Sequence, residues 1–105
     1  MQRSYLGEFE EIVLLTVNAL SENAYSVTVM HEIIGQTGRS VKLNHVHSAL
    51  QRLEEKGMLK SKMGASTAER GGRRKRLFAV TALGRRALNE VQLVRQRLWS
   101  LSQAR

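Results

Sequence analysis

Residues 42–57 read KLNHVHSALQRLEEKG, and this stretch decides the fold. Its apolar residues recur at steps of three and four, a spacing that puts them on one side of a helix. They are Leu43, Val46, Leu50 and Leu53. The other side carries hydrogen-bonding side chains and no acid before Glu54. A face of this composition can contact the base edges of DNA, but an ordinary solvated face has the same composition. The stretch alone favours the ordinary face, so the flanking sequence has to decide.

A first helix is predicted from Leu6 to Leu20, where apolar residues follow helical spacing. Three glutamates lie in its first turn, where carboxylates suit the helix dipole. Leu14 and Leu15 widen the apolar surface beyond one stripe, which indicates burial against the core or against another subunit. We expect Leu14 to contribute to a dimer interface.

A second helix is predicted from about Ser26, a candidate N-cap, to Gly38, which suits a left-handed C-terminal cap. The short link 39–41 then leads to the helix that begins near Lys42. Two helices joined in this way, with a polar outer face on the second, are typical of a helix-turn-helix, whose second helix enters the major groove. Many helix pairs share this spacing, and the residues after Gly57 are more selective.

A β-hairpin is predicted after Gly57. Residues 58–63 alternate, so that Leu59, Ser61 and Met63 share one face and Lys60 and Lys62 share the other. Residues 76–80 form the returning strand, with Phe78 and Val80 on one face. The segment between them, GASTAERGGRRKR, is rich in glycine, small residues and charge, so the hairpin has a basic tip.

The positive charge is concentrated around this hairpin. Residues 58–86 hold nine basic and one acidic side chain, a net of +8, whereas residues 1–57 hold five and seven, a net of −2. A local cationic field suits nucleic acid or an anionic membrane surface. The alternative is a solvated charge run. Membrane binding is disfavoured because the chain lacks a basic amphipathic helix with large apolar anchors.

A long last helix is predicted from Thr81, its N-cap, nearly to the end of the chain. Its apolar residues recur every 3.5 positions on average, the repeat of a coiled coil, at Ala87, Val91, Val94, Leu98 and Leu101. We therefore expect a homodimer that packs through this helix; the alternative is a helix folded back on its own domain. Trp99 suits this interface, and it can also line a pocket for a small-molecule effector.

Composition excludes several classes of protein. The 105 residues suffice for one domain, and no apolar run or amino-terminal leader is evident, so we expect a cytoplasmic protein. There is no cysteine. His45 and His47 lie about 200° apart around a helix axis and cannot close on one ion. We find no catalytic set, and we expect no enzyme, no metal and no cofactor.

Five segments together resemble the PadR family of transcriptional regulators, in its short form with a single C-terminal helix. They are LGEFEEIVLL, AYSV, VHSALQRLEEKGML, AERGGRRKR and VTALGRRAL, and the resemblance as a whole runs from Leu6 to about Leu98. The resemblance implies a mainly α fold with a small β-hairpin, a winged helix-turn-helix in residues 1–81 and a dimerisation helix in residues 82–105. It also implies repression of target promoters, often relieved by a small molecule.

Some positions depart from the family pattern. Lys42 stands where the family commonly has a serine N-cap, and His47 stands where it has a tyrosine whose hydroxyl would touch a phosphate. Ser26 replaces a usual glycine, and the prolines of the wing loop are absent. We therefore expect this chain to differ from its relatives in site choice and affinity.

These considerations name three sets of residues. Contacts to bases are expected from Lys42, Asn44, His45, Ser48 and Gln51. Contacts to phosphates are expected from Ser26, His47, Arg70, Arg73, Arg74, Lys75 and Arg76. The dimer interface is expected at Leu14, Ala87, Val91, Val94, Leu98, Trp99 and Leu101. The alternative function is a winged-helix protein-interaction module that uses its basic wing on an acidic partner.

Overall fold

The computed structural model describes residues 6–64 and 74–104, which form four α-helices, a short 3-10 turn and one β-hairpin. The elements are α1 (Glu8–Leu20), the 3-10 turn (Ser21–Asn23), α2 (Ser26–Thr37), α3 (Leu43–Glu55), β1 (Leu59–Met63), β2 (Arg76–Val80) and α4 (Ala82–Gln103). The predicted fold class, mainly α with a small hairpin, is confirmed. Within the described ranges, no helix has both the length and the apolar character that a membrane span requires.

Backbone geometry explains where α2 and α3 stop. Gly38 ends α2 at φ 70° and Gly57 follows α3 at φ 78°, both in the left-handed region that glycine adopts without a steric penalty. The amide of Met58 then donates to the carbonyl of Leu53 (2.9 Å), which turns the chain from α3 into β1. Both glycine caps are as predicted. The N-cap of α2 is Tyr25, one residue before Ser26, and its amide donates to Thr28 Oγ1 (3.0 Å).

The core lies between the first three helices and the inner face of the hairpin. Its fully enclosed large side chains are Val13, Leu14, Val17, Val29, Ile33, Val46, Leu50, Leu53 and Met58. Leu14 has no accessible surface, so it belongs to the core of its own chain and is unavailable to a partner subunit. This corrects its predicted place at a dimer interface. The neighbouring Leu15, at 39% exposure, is the residue of that pair that reaches the surface.

The hairpin is antiparallel, with Leu59 opposite Val80 and Met63 opposite Arg76. Leu59, Phe78 and Val80 are buried while Lys60 and Lys62 are exposed, as the alternation predicts. Met63, on the same face as Leu59, is exposed because β1 ends there, away from the core. The amide of Phe78 donates to the carbonyl of Ala24 (2.9 Å), so β2 is tied to the chain between α1 and α2. The predicted loop falls largely on residues 65–73, which lie outside the described residues.

The start of α4 is fastened to the end of α3. Thr81 is the N-cap, as predicted: its Oγ1 accepts from the amide of Gly84 (3.1 Å) and donates to the carbonyl of Gly57 (2.6 Å). Of the residues of α4, Gly84 and Leu88 are buried, and the helix is exposed from Gln92 onward. The molecule is therefore elongated, with principal extents of 59 × 34 × 21 Å.

Gly84 allows α4 to lie directly against the α3–β1 turn. A Cβ at this position would overlap the carbonyl oxygen of Met58 and stand 2.9 Å from Val80 Cγ1. We expect Gly84→Ala to lower the free energy of unfolding by about 1–3 kcal/mol, because backbone has to shift to make room. Urea denaturation followed by circular dichroism measures this change.

Gly35→Ala is the matched control, since a Cβ at Gly35 meets nothing within 4 Å. We expect this variant to gain about 0.5–1 kcal/mol from its higher helix propensity. Equal denaturation midpoints for the two variants would contradict the proposed close contact at Gly84.

Candidate nucleic-acid interface

A line of hydrogen-bonding side chains runs along the exposed face of α3. Asn44, Ser48 and Gln51 follow the spacing i, i+4, i+7, so they share one face of the helix, and all three are exposed. The opposite face packs into the core through Val46, Ala49, Leu50 and Leu53. Acids appear on the exposed side only at Glu54 and Glu55, so the amino-terminal end of the helix is the end that tolerates a polyanion.

The remaining predicted residues of α3 surround the start of this line. Lys42 is the N-cap, exposed and in extended backbone, and its side chain makes no capping hydrogen bond, in agreement with the predicted absence of a usual cap. His45 and His47 are exposed and lie to either side of the line. In the part of the chain that the structure describes, no group of three or more histidine and acidic side chains could hold a metal ion.

One buried carboxylate fixes α3 against α1. Glu10, only 7% exposed, accepts hydrogen bonds from Arg52 Nε (2.7 Å) and Lys56 Nζ (2.6 Å). Burial alone would raise the pKa of Glu10, but the hydrogen bonds from Lys56 and Arg52 outweigh it and hold that pKa below its ordinary value. The ion pair therefore sets the register of α3 on the core and the direction that its exposed line faces.

The other two glutamates of the first turn of α1 bind different parts of the chain. Glu8 pairs with Arg39 in the link between α2 and α3. Glu11, also 7% exposed, accepts from Arg95 of α4 at 2.7 and 3.2 Å. Hydrogen bonding to Glu11 raises the pKa of the Arg95 guanidinium. The sequence predicts these glutamates only as partners of the helix dipole; in the structure they also join α1 to the α2–α3 link and to α4.

Three consecutive basic residues of the wing (β1, β2 and their connection), Arg74, Lys75 and Arg76, are exposed, and each contacts a neutral group. Lys75 Nζ lies 4.3 Å from the centre of the Tyr25 ring and donates to its hydroxyl (3.1 Å). Arg74 Nε donates to the carbonyl of Gly64 (3.1 Å). Arg76 donates to Ser61 Oγ (3.0 Å). Among the described residues none of these three cations forms an ion pair, so their charges stay available to an anion.

Among the described phosphate contacts that the sequence predicts, Lys75 and Arg76 lie at two places on the surface. Lys75 rests on the side chain of Tyr25, the N-cap of α2, which directly precedes Ser26 in the chain. Arg76 reaches the end of α3 through Ser61, whose hydroxyl donates to Glu54 (2.7 Å). Arg70 and Arg73 lie outside the described residues.

Two features of this surface have no binding role in the sequence-based prediction. Tyr25 supports Lys75, and the only signal in the sequence is an aromatic residue directly before α2. Lys60 and Lys62 project from β1 as exposed cations, and the alternation of that strand was sufficient to find them. Both features place positive charge beside α2 or along the wing.

The helix pair α2–α3 followed by the hairpin defines a winged helix-turn-helix protein. A PadR family transcription regulator from Clostridium difficile R20291 has this fold, with a TM-score of 0.69 and 16% sequence identity over 89% of this chain and 93% of that one. A PadR-like transcriptional regulator from Bacillus cereus gives 0.70 and 17% over 92% and 93%. PadR of Bacillus subtilis, solved in complex with operator DNA, gives 0.64 and 15% over 81% of this chain and 46% of that one.

These likenesses confirm the fold that the resemblance to the PadR family implies. The first two of these proteins are transcription regulators, and the third was solved bound to operator DNA. No protein-family model and no curated relative matches the sequence. Because the identities with these structures are 15–17%, the likeness concerns the fold, and function has to be argued from the surface of this chain.

We expect Glu10→Gln to lower the free energy of unfolding by about 1–3 kcal/mol at neutral pH, because it removes hydrogen bonds to a charged group. The lowered pKa of Glu10 gives this loss a pH dependence. The stabilisation is complete above the ordinary carboxyl pKa of about 4.3 and is lost as the pH falls through the lower folded-state pKa. Urea denaturation at neutral pH and at a series of pH values below about 5 measures it.

Glu90→Gln is the control, since Glu90 is exposed on α4 and forms no ion pair with any described residue. The control should follow the unaltered protein at every pH. If Glu10→Gln and Glu90→Gln unfold at the same urea concentration throughout, Glu10 does not fix α3 in the way described.

Proposed function

We propose that the chain is a sequence-specific, double-stranded DNA-binding transcriptional regulator that acts as a homodimer and represses its targets until a small molecule releases it. The observation that carries this proposal is the exposed line Asn44, Ser48, Gln51 on a helix whose other face is fully packed. A helix held in this way can enter a major groove without losing contact with its domain. The operator complex of Bacillus subtilis PadR, with the same fold, supports the proposal.

Sequence choice rests on the amino-terminal half of α3. Amide, hydroxyl, imidazole and ammonium groups offer the donors and acceptors that base edges match in the major groove. These groups are carried by Lys42, Asn44, His45, Ser48 and Gln51. All are exposed, so binding need not first break a packed contact.

Phosphate contacts hold the protein on the duplex. Arg74, Lys75 and Arg76 contact only neutral groups within the described chain and can exchange these for phosphate oxygens at small cost. Arg70, Arg73, Ser26 and His47 complete the proposed set. A dimer that neutralises about six phosphates has an affinity that falls with salt at a log–log slope near −5.

Dimerisation is proposed through residues 82–105, while residues 1–81 form the DNA-binding unit. The later part of α4 exposes large apolar side chains: Leu98 is 60%, Trp99 67% and Leu101 70% accessible. An apolar stripe of this kind on an elongated helix is typical of a surface that a second copy covers. With Ala87, Val91 and Val94 it forms the proposed interface, to which Trp99 belongs and where an apolar pocket can hold the effector.

Two copies of α3 then enter successive major grooves about 34 Å apart. We expect Asn44→Ala to change the sequence preference, because a direct base contact is lost, at a cost of about 1–3 kcal/mol on the best site. A selection of binding sites from a random duplex pool near physiological salt identifies the preferred site of each protein.

Arg74→Gln is the contrasting variant, since a phosphate contact has no sequence preference. It should weaken binding to all duplexes alike and reduce the magnitude of the salt slope by about 0.9 for each contact removed. If the unaltered protein binds selected and random duplexes equally, specific regulation is refuted. A protein that binds an acidic partner and shifts no duplex would instead be an interaction module.

We expect Leu98→Ser to weaken dimerisation at least about tenfold, because each copy loses apolar contact worth more than about 1.4 kcal/mol. Sedimentation equilibrium measures the dissociation constant. Gln96→Ser is the control, since Gln96 is exposed on the opposite side of α4 from the stripe. A monomeric unaltered protein, or equal dissociation constants for the two variants, would refute this interface.

A further inference from the structure

Arg95 is the outermost charged attachment of α4 to the rest of the described chain. Its Nε and one terminal nitrogen donate to the two oxygens of Glu11, at 3.2 and 2.7 Å. This bidentate geometry restricts rotation of the guanidinium as well as its distance from α1. Because the Glu11 carboxylate is nearly buried, the contact is shielded from solvent on one side.

The other attachments of α4 all lie nearer its start. Gly84 and Leu88 are its buried residues, and Ala87 and Val91 are half-buried. Beyond Val91, every described residue of α4 is exposed. A helix needs contacts at two places along its length to have a fixed direction. The packing around Gly84 to Val91 provides one of them for α4. The pair Glu11–Arg95 provides the second.

We propose that the Glu11–Arg95 pair is a positioning contact that sets the angle at which α4 leaves the winged-helix unit, and thereby the separation of DNA half-sites that the dimer accepts. The inference rests on the proposed function, because it requires dimerisation through α4 and DNA binding through α3. Arg95 itself touches neither DNA nor the partner in this proposal. It acts through the direction of the helix that carries it.

The geometry makes half-site spacing sensitive to this angle. In a two-fold dimer joined through α4, a tilt of that helix moves both copies of α3, in opposite senses. Adding one base pair to a spacer moves a half-site by about 3.4 Å and turns it by about 34°. Without the Glu11–Arg95 pair, α4 can pivot about its packed start and the dimer accommodates such a change in spacing. With the pair in place, the angle of α4 is fixed and the dimer does not accommodate it.

The experiment uses the full chain and a duplex panel built from the site selected by the unaltered protein. Spacers between the half-sites are shortened or lengthened by one and two base pairs. We expect the unaltered protein to prefer the natural spacer over its neighbours by about tenfold or more, and Arg95→Gln to reduce this preference to about threefold or less. A change in the spacing profile is a readout that a general loss of stability does not produce.

Three further variants sharpen the test. Arg97→Gln is the matched control, since Arg97 is exposed on the same helix and forms no ion pair with any described residue; it should keep the full spacing preference. Glu11→Gln should reproduce Arg95→Gln, and the double variant should add little, because both remove one interaction. Arg95→Lys keeps the charge without the bidentate geometry and should give an intermediate preference.

The outcomes separate this inference from the function on which it rests. If the unaltered protein prefers no sequence or no spacing, the proposed function fails and the inference fails with it. If the unaltered protein has a spacing preference and folded, dimeric Arg95→Gln retains it in full, the inference alone is overturned. If Arg95→Gln does not dimerise, the spacing preferences of Glu11→Gln and Arg95→Lys are measured instead. Full retention of the preference by these variants overturns the inference, and a reduced preference supports it.

Discussion

The architecture depends on a carboxylate that is taken out of water. Glu10 lies on the side of α1 that packs inward, and an unpaired charge there would be costly. Arg52 and Lys56 meet this cost, and both belong to the end of α3 and the cap that follows it. This buried charge therefore adds to the apolar face of Val46, Leu50 and Leu53 in fixing how α3 lies on the core. The exposed line of hydrogen-bonding side chains is the geometric consequence, because the two faces of a helix are fixed relative to each other.

The same turn of α1 explains how a chain of net charge +8 keeps its cations where they are useful. The three glutamates near its start pair with Arg39, Arg52, Lys56 and Arg95, none of which belongs to the wing. In the wing, Arg74, Lys75 and Arg76 contact a carbonyl, a phenol and a hydroxyl instead. Internal acids thus hold the fold, and the positive field of the wing is left for a polyanion.

Sequence reasoning succeeded where a local rule applies and failed where distant residues meet. The helices, the strand alternation and the caps at Gly38, Gly57 and Thr81 follow from periodicity and from backbone preferences. The partnership of Glu11 and Arg95 spans 84 residues, and no local pattern connects them. Leu14 was misplaced because an apolar position does not reveal whether its own chain or a second one covers it. Glu10 was foreseeable: it lies at i, i+3, i+4, i+7 spacing with Val13, Leu14 and Val17, and a glutamate on an apolar stripe requires a basic partner.

The small size of the α3 surface and the exposed apolar stripe of α4 are connected in the proposed complex with DNA, because a small reading surface requires a second copy of the chain. A single recognition helix offers only a few side chains to base edges, and each matched base pair contributes about 1–3 kcal/mol of discrimination. That is too little to distinguish one site from the many others in a genome unless a second helix doubles it. In the proposed dimer, the apolar stripe that its own domain leaves uncovered joins the two copies. The angle of the joining helix then matters as much as its affinity, since two helices gain from acting together only when both reach their grooves at once.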